Sequence, residues 1–237
     1  MNMLEVRDLN VHIGQSHILH GLSFGVSSGG ITGLLGRNGV GKTTTLRGIL
    51  GLVNRSGAID FEGETIASLR THEVVRRGIA YVPEDRDIFS ALTVEENLRL
   101  AERPGAQLQY ELIFELFPEM KTRGKQRAGT LSGGQQQMLA ISRALLNGGN
   151  RLLLVDEPTK GLSPLVVRNV VDALKRAAEA VTILLVEQNL SVAHKLARDA
   201  IVLDQGRVGY VGTVDELMND PELARHHLGV SSAGSGH

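Results

Sequence analysis

The chain has 237 residues, of which 25 are basic and 26 acidic, for a formal net charge of -1. That balance leaves no basic field able to hold nucleic acid by itself, and 3% aromatic residues supply no stacking platform for single strands. Cysteine is absent, so neither a disulfide framework nor a thiolate metal site is available, and the length permits one large domain with subdomains and a full core.

The first ten residues, MNMLEVRDLN, carry charges and lack the apolar core of a signal peptide. The longest apolar runs, such as Val181 to Val186, fall far short of the roughly 20 residues that span a bilayer. Any membrane association is therefore expected to come through a partner. Residues 3 to 26 alternate as strands, with a turn at Gly14-Gln15-Ser16. Ile31 to Leu35 is a short apolar strand, and a helix carrying Leu46, Ile49 and Leu50 follows and stops near Gly51. A hairpin is expected over Gly57 to Phe61, turning at Glu62-Gly63.

Glu73 to Arg77 reads as a short helix, and Ile79 to Val82 as a strand halted by Pro83-Glu84. Thr93-Val94-Glu95-Glu96 has capping-box spacing and predicts a helix through Arg103. Leu108 to Phe117 is a further helical run, ended by Pro118, with a polar, basic loop over Lys121 to Gly129. Leu152 to Val155 is a buried-type strand ending in Asp156-Glu157. Pro164 to Ala180 is a helix with Leu165, Val167, Val170, Val171 and Leu174 on or near its apolar face. The strand Val181 to Val186, a helix over Leu190 to Ala197, a hairpin about Asp204-Gln205-Gly206 and an amphipathic stretch from Val214 to Leu228 complete the pattern. The tail SSAGSGH is small, polar and predicted to be disordered. The fold class is thus α/β, a mainly parallel sheet core with an antiparallel β subdomain and a helical subdomain. Residues 1–84 and 151–230 would form the core with its β subdomain, 85–150 the helical subdomain, and 231–237 the tail.

Three motifs carry chemistry. Gly36-Arg37-Asn38-Gly39-Val40-Gly41-Lys42-Thr43 satisfies G-x-x-x-x-G-K-[ST], the phosphate-binding loop, in its required strand–turn–helix context. Its glycines let successive N–H groups curl toward an anion at the positive end of the following helix. Lys42 would reach the β- and γ-phosphates, the Thr43 hydroxyl would ligate Mg²⁺, and Thr44 adds another hydroxyl. The second motif is the acidic strand end. In open parallel sheets the ligand sits outside the carboxyl ends of strands, so this edge should meet the phosphate loop. Asp156 can hold Mg²⁺ opposite Thr43, and Glu157 is the candidate base toward the water attacking the γ-phosphate. The third is Leu131-Ser132-Gly133-Gly134-Gln135. Ser132 and Gln135 have capping-box spacing, which accounts for a helix start but not for two glycines in a first turn, where glycine is costly. Bare backbone N–H groups there fit a second phosphate, and since this chain has its own loop, the simplest reading gives that phosphate to another subunit's nucleotide.

Taken together and in this order, the three motifs resemble an ATP-binding cassette (ABC) ATPase subunit over about Leu4 to Glu216. The resemblance implies a head-to-tail dimer with two ATP molecules between subunits, each touching Lys42 of one chain and Ser132, Gly133, Gly134 and Gln135 of the other. Four family positions deviate. Glu84 stands where glutamine is usual and could still ligate Mg²⁺ through oxygen. Gln188 replaces the usual switch histidine, an amide that can donate to the γ-phosphate but cannot carry a proton charge. Ser163 replaces an aspartate. Ile13 lies where an aromatic residue stacks on adenine and offers apolar contact only, with His12 a weak substitute.

VPE with VEQN resembles the LivF-like ATP-binding subunits of branched-chain amino acid importers, and GRNGVGKTT also resembles urea-importer subunits, ranked second. The expectation is therefore an ATP hydrolase using ATP and Mg²⁺. It would sit at the cytoplasmic face of the membrane, peripheral through transmembrane permease subunits, paired with a second ATPase subunit and with no direct nucleic acid. A soluble ABC ATPase acting on nucleic acid or ribosomes, and a purely regulatory nucleotide-binding module, are the rival classes. The single set of motifs, the balanced charge and Glu157 weigh against them.

Overall fold

The computed structural model describes residues 2–228, with nothing taken from the side chain of His227. The stretch 231–237, expected to be disordered, lies outside the described residues. The chain divides into two compact units, Met1–Arg76 with Leu184–His237, and Arg77–Ile183.

The first unit begins with a long hairpin, β1 (Asn2–Ile13) and β2 (Ser16–Ser27). The alternation of apolar residues decides its face: Leu4 pairs with Val26, Val6 with Phe24, Leu9 with Leu22 and Val11 with Leu19, and all are buried. β4 (Arg55–Phe61) pairs on the other side of β1, and β5 (Glu64–Thr65) follows through Glu62 and Gly63, both at positive φ, giving the antiparallel order β2-β1-β4-β5. The register of β1 shifts near Asp8 (φ 51°), and Gly57 lies against that bulge. A Cβ on Gly57 would stand 2.3 Å from the Asp8 carbonyl oxygen.

In the same unit, β3 (Ile31–Gly36) is buried along its whole length and pairs in parallel with β9 (Asp199–Asp204), Leu34 opposite Ile201. β9 turns at Gln205-Gly206 into antiparallel β10 (Arg207–Thr213). α1 (Lys42–Leu50) ends at left-handed Gly51, whose N–H bonds the carbonyls of Arg47 and Gly48. Arg55 joins this helix end to the strand that follows. Its guanidinium donates to the carbonyls of Gly48 and Ile49 in the last turn of α1 and to those of Ile66 and Ala67. α2 (Thr71–Arg76), α8 (Leu190–Leu196), α9 (Val214–Asn219) and α10 (Pro221–Leu228) complete the unit. The stretch expected to be continuous from Val214 breaks at Asp220-Pro221, where the Asp220 side chain accepts the first N–H groups of α10.

The second unit holds parallel β6 (Ile79–Val82) and β7 (Leu152–Asp156), paired Val82 to Val155. Its helices are α3 (Val94–Ala101), α4 (Tyr110–Leu116), α5 (Pro118–Thr122), α6 (Gly133–Leu145) and α7 (Pro164–Ala177). β8 (Thr182–Glu187) carries the chain back to the first unit. The capping box at Thr93 forms as expected, with both reciprocal bonds to Glu96, but α3 stops two residues before Arg103. Pro118 does not merely end α4. It opens α5 at a position where its missing N–H costs nothing, so part of the expected loop over Lys121 to Gly129 is helical or a single 3-10 turn at Ala128–Thr130. Leu165 leaves the expected apolar face of α7 and is 61% exposed, whereas Val170, Val171 and Leu174 are buried. The parallel pairs and the separate antiparallel sheet are the α/β arrangement expected from the sequence.

Candidate nucleotide site

The first unit carries the phosphate loop between β3 and α1. Its three glycines are required for different reasons. A Cβ on Gly36 (φ 149°) would meet the Leu203 carbonyl oxygen at 2.6 Å. One on Gly41 (φ 106°) would meet the Leu19 side chain at 2.5 Å, and Gly39 (φ 81°) needs only its conformation. The loop is therefore wedged between β9 and β2, and the Gly206 N–H ties it down further by donating to the Val40 carbonyl at 3.1 Å. Lys42 is buried and lies back over the start of the loop. Its Nζ donates to the Gly36 carbonyl at 2.9 Å and to the Arg37 carbonyl at 3.0 Å. Arg37, Asn38 and Gly39 are exposed at the rim, and the Thr43 and Thr44 side chains are half-buried on the first turn of α1.

Ile13, at the end of β1, is 48% exposed. Beside it the hairpin register sets His12 opposite His17, and the two rings stack at 4.0 Å, with His20 a further 4.1 Å along. His12, a weak substitute for the adenine-stacking residue in the sequence, thus has its own ring partner, set by the strand register. Gln188 is exposed, one residue beyond buried Glu187. Asn189 caps α8 through its side-chain oxygen, accepting from the Ser191 and Val192 N–H groups.

In the second unit Asp156 is fully buried at the end of β7, its Oδ2 accepting from the Tyr81 hydroxyl at 3.3 Å. Glu157 is 9% exposed and sits at φ 43°. A left-handed glutamate directly before Pro158 is held in a conformation that proline further disfavours, the kind of local strain that surrounding structure must sustain. Lys160 bridges two carboxylates. Its Nζ lies 2.5 Å from Glu84 Oε1 and 3.4 Å from Glu157 Oε2. Hydrogen bonding to Glu84, with the charge of Glu157, raises its pKa above the ordinary lysine value. Ser163 is the N-cap of α7 but makes no side-chain cap bond.

Ser132 opens α6 with a complete capping box: its Oγ accepts the Gln135 N–H and its own N–H reaches Gln135 Oε1 at 3.0 Å. The Gln135 amide then donates to Glu119 at 2.5 Å. The glycines that capping left unexplained have packing reasons as well. A Cβ on Gly134 would stand 2.5 Å from the Val166 side chain, and one on Gly133 would crowd the Arg86 guanidinium at 3.3 Å. Arg86 donates to Gln136 and Gln137 on α6, and Arg143 lies over the Phe89 ring at 5.0 Å. Buried Asn97 holds the same segment, accepting the Phe89 N–H at 2.9 Å and donating to the Phe89 and Thr93 carbonyls. The segment after Glu84 is thus tied to the helix that Ser132 begins, through residues the sequence reading did not single out.

A phosphate loop wedged on a parallel sheet, with an acidic strand end and a glycine-led helix start, defines a P-loop nucleoside triphosphatase. The sequence profile described as ABC transporter matches residues 19–160, and the chain belongs to that family. It is 42% identical to the high-affinity branched-chain amino acid transport ATP-binding protein BraG of Pseudomonas aeruginosa, over 96% of this chain and all of that one. It is 37% identical to the probable branched-chain amino acid transport ATP-binding protein LivF of Archaeoglobus fulgidus, over 96% and 99% of the two chains. Among solved structures it resembles an ATP-binding subunit of an ABC transporter at a TM-score of 0.78 and 31% identity, over 96% of each chain. The protein is accordingly an ATP-binding ATP hydrolase of the ABC transporter type. Among the described residues no helix is long and apolar enough to cross a membrane.

Proposed function

We propose that this chain is the ATP-hydrolysing subunit that energises an importer of branched-chain amino acids. The observation that carries the reading is the 42% identity to BraG over that protein's whole length. The urea-importer reading rests on the phosphate-loop wording alone and stays second. In the proposed arrangement the chain sits at the cytoplasmic face of the membrane, held there by permease subunits, and pairs with a second ATPase subunit.

The residue roles follow from the chemistry of the side chains. Lys42 binds the β- and γ-phosphates, exchanging two backbone carbonyls for phosphate oxygens, and the N–H groups from Gly36 to Thr44 surround the anion. Glu157 orients the attacking water and takes its proton, and the Gln188 amide donates to the γ-phosphate. Ser132, Gly133, Gly134 and Gln135 close on the nucleotide of the partner subunit, and Ile13 supports the adenine by apolar contact. Mg²⁺ fits the donor set. Thr43, Asp156 and Glu84 offer only oxygens, and this ion is characteristically held by one or two carboxylates together with substrate phosphates. Bound there, it would neutralise charge on the β- and γ-oxygens. Residues 85–150 form the helical subdomain of the proposed division. They would pass motion to the permease through the Arg86 and Asn97 tethers.

The reading is tested by leucine uptake in cells lacking this gene, complemented with the wild-type chain or with Lys42→Ala. Restored uptake with the first and none with the second is expected. Unaltered leucine uptake in the deletion strain would overturn the amino acid assignment.

A further inference from the structure

Glu84 and Glu157 stand at matching places on neighbouring strands. Val82 of β6 pairs with Val155 of β7, and each glutamate follows two residues later. Two carboxylates thus leave adjacent strand ends at one level, next to buried Asp156. Three negative charges on one edge repel one another and repel any polyphosphate brought to it. The cation that meets them is Lys160, delivered by the turn that follows Glu157, in which the Lys160 N–H donates to the Glu157 carbonyl at 3.2 Å. Its ammonium touches both glutamates, and the tighter contact, 2.5 Å, is to Glu84.

We propose that Lys160 is a positioning residue that acts as the internal counter-ion of Glu84, allowing a carboxylate to stand beside a nucleoside triphosphate without driving it off. The inference rests on the reading above, in which Glu84 and Glu157 face the terminal phosphate. Glu84, Asp156 and Glu157 carry more negative charge than one Mg²⁺ offsets, so without Lys160 the excess falls on the γ-phosphate, the group that distinguishes ATP from ADP. Neutralising Glu84 removes the need for the lysine.

The test compares the wild type with Lys160→Met, Lys160→Arg, Glu84→Gln and the double variant Lys160→Met/Glu84→Gln. Each is titrated with the imido analogue of ATP and with ADP, both in the presence of Mg²⁺. Lys160→Met is expected to bind the ATP analogue about 5-fold more weakly, the scale of a half-exposed ion pair, with ADP affinity unchanged. Lys160→Arg should bind both as the wild type does, and in the Glu84→Gln background Lys160→Met should change neither affinity further. An unchanged preference in Lys160→Met, or a further loss when Lys160→Met is added to Glu84→Gln, would overturn the proposal. Glu157→Gln in a hydrolysis assay separates this outcome from failure of the site reading. Normal turnover there overturns both, whereas slow turnover with an unchanged preference in Lys160→Met overturns the counter-ion alone. Lys160 is 54% exposed, so its replacement removes charge without opening the core.

Discussion

At the scale of single residues, the chemistry proposed for this chain concentrates in side chains that local structure holds under constraint. Glu157 is the clearest case, a nearly buried carboxylate at positive φ in front of a proline. Such strain persists only where neighbouring contacts maintain it, and here the turn to Lys160 does so. Replacing Glu157 with Gln keeps the shape and removes the basic oxygen. Turnover should fall by about 10² to 10⁴, the usual scale for a general base, while ATP still binds. Phosphate release at the wild-type rate would remove Glu157 from that role. Asp156 and Tyr81 illustrate a different constraint, since the Tyr81 hydroxyl donates to Oδ2 of a fully buried carboxylate and holds its orientation.

At the scale of elements, the helix starts decide both stability and geometry. Gly134 packs where a side chain would strike Val166, so Gly134→Val should overpack the contact between α6 and α7 and cost about 1–3 kcal/mol. Chemical denaturation would show this as a lower midpoint with an unchanged slope. If the variant matched the wild type, the glycine would owe its place to ligand approach alone. The capping boxes add a pH dependence. Glu96 is lowered below the ordinary glutamate pKa of 4.5, chiefly by the Thr93 N–H, and Glu216 chiefly by the Tyr210 hydroxyl. Groups depressed in the folded chain bind fewer protons there than when unfolded. Their stabilisation is therefore present above pH 4.5 and lost as pH falls through the lower folded values. Thermal unfolding followed downward from pH 6 should show a loss that shrinks in Glu96→Gln, and an identical pH slope in that variant would deny Glu96 its contribution.

At the scale of the whole molecule, the proposed assembly requires two copies of this kind of chain to share each nucleotide. The Glu157→Gln chain, loaded with ATP and Mg²⁺, should sediment as a dimer or as a pair with its sister subunit, and return to monomer with ADP. Ser132→Arg should abolish that association without weakening ATP binding to the single chain, because Ser132 is exposed at the helix start. Association that survives Ser132→Arg would mean the subunits meet through another surface.

Much of this was legible in the residues themselves, because the relevant physics is local. Strand alternation, the loop glycines, the Thr93 and Ser132 capping boxes and the Asp156-Glu157 strand end are written in contiguous stretches. Their outcome follows from backbone sterics and from side chains three or four positions away. Where competing local rules meet, the structure departs from that pattern: Pro118 both ends α4 and opens α5, and Leu165 stands outside the buried face of α7. What only the tertiary structure decided are contacts between residues remote in the chain. Leu203 demanding glycine at 36, Arg86 reaching Gln137 on α6, Val166 demanding glycine at 134, and Lys160 meeting Glu84 across 76 positions depend on which elements pack together. A charge or a glycine in a sequence has no partner until folding supplies one, and electrostatic and steric energies depend on distance in space rather than on distance along the chain.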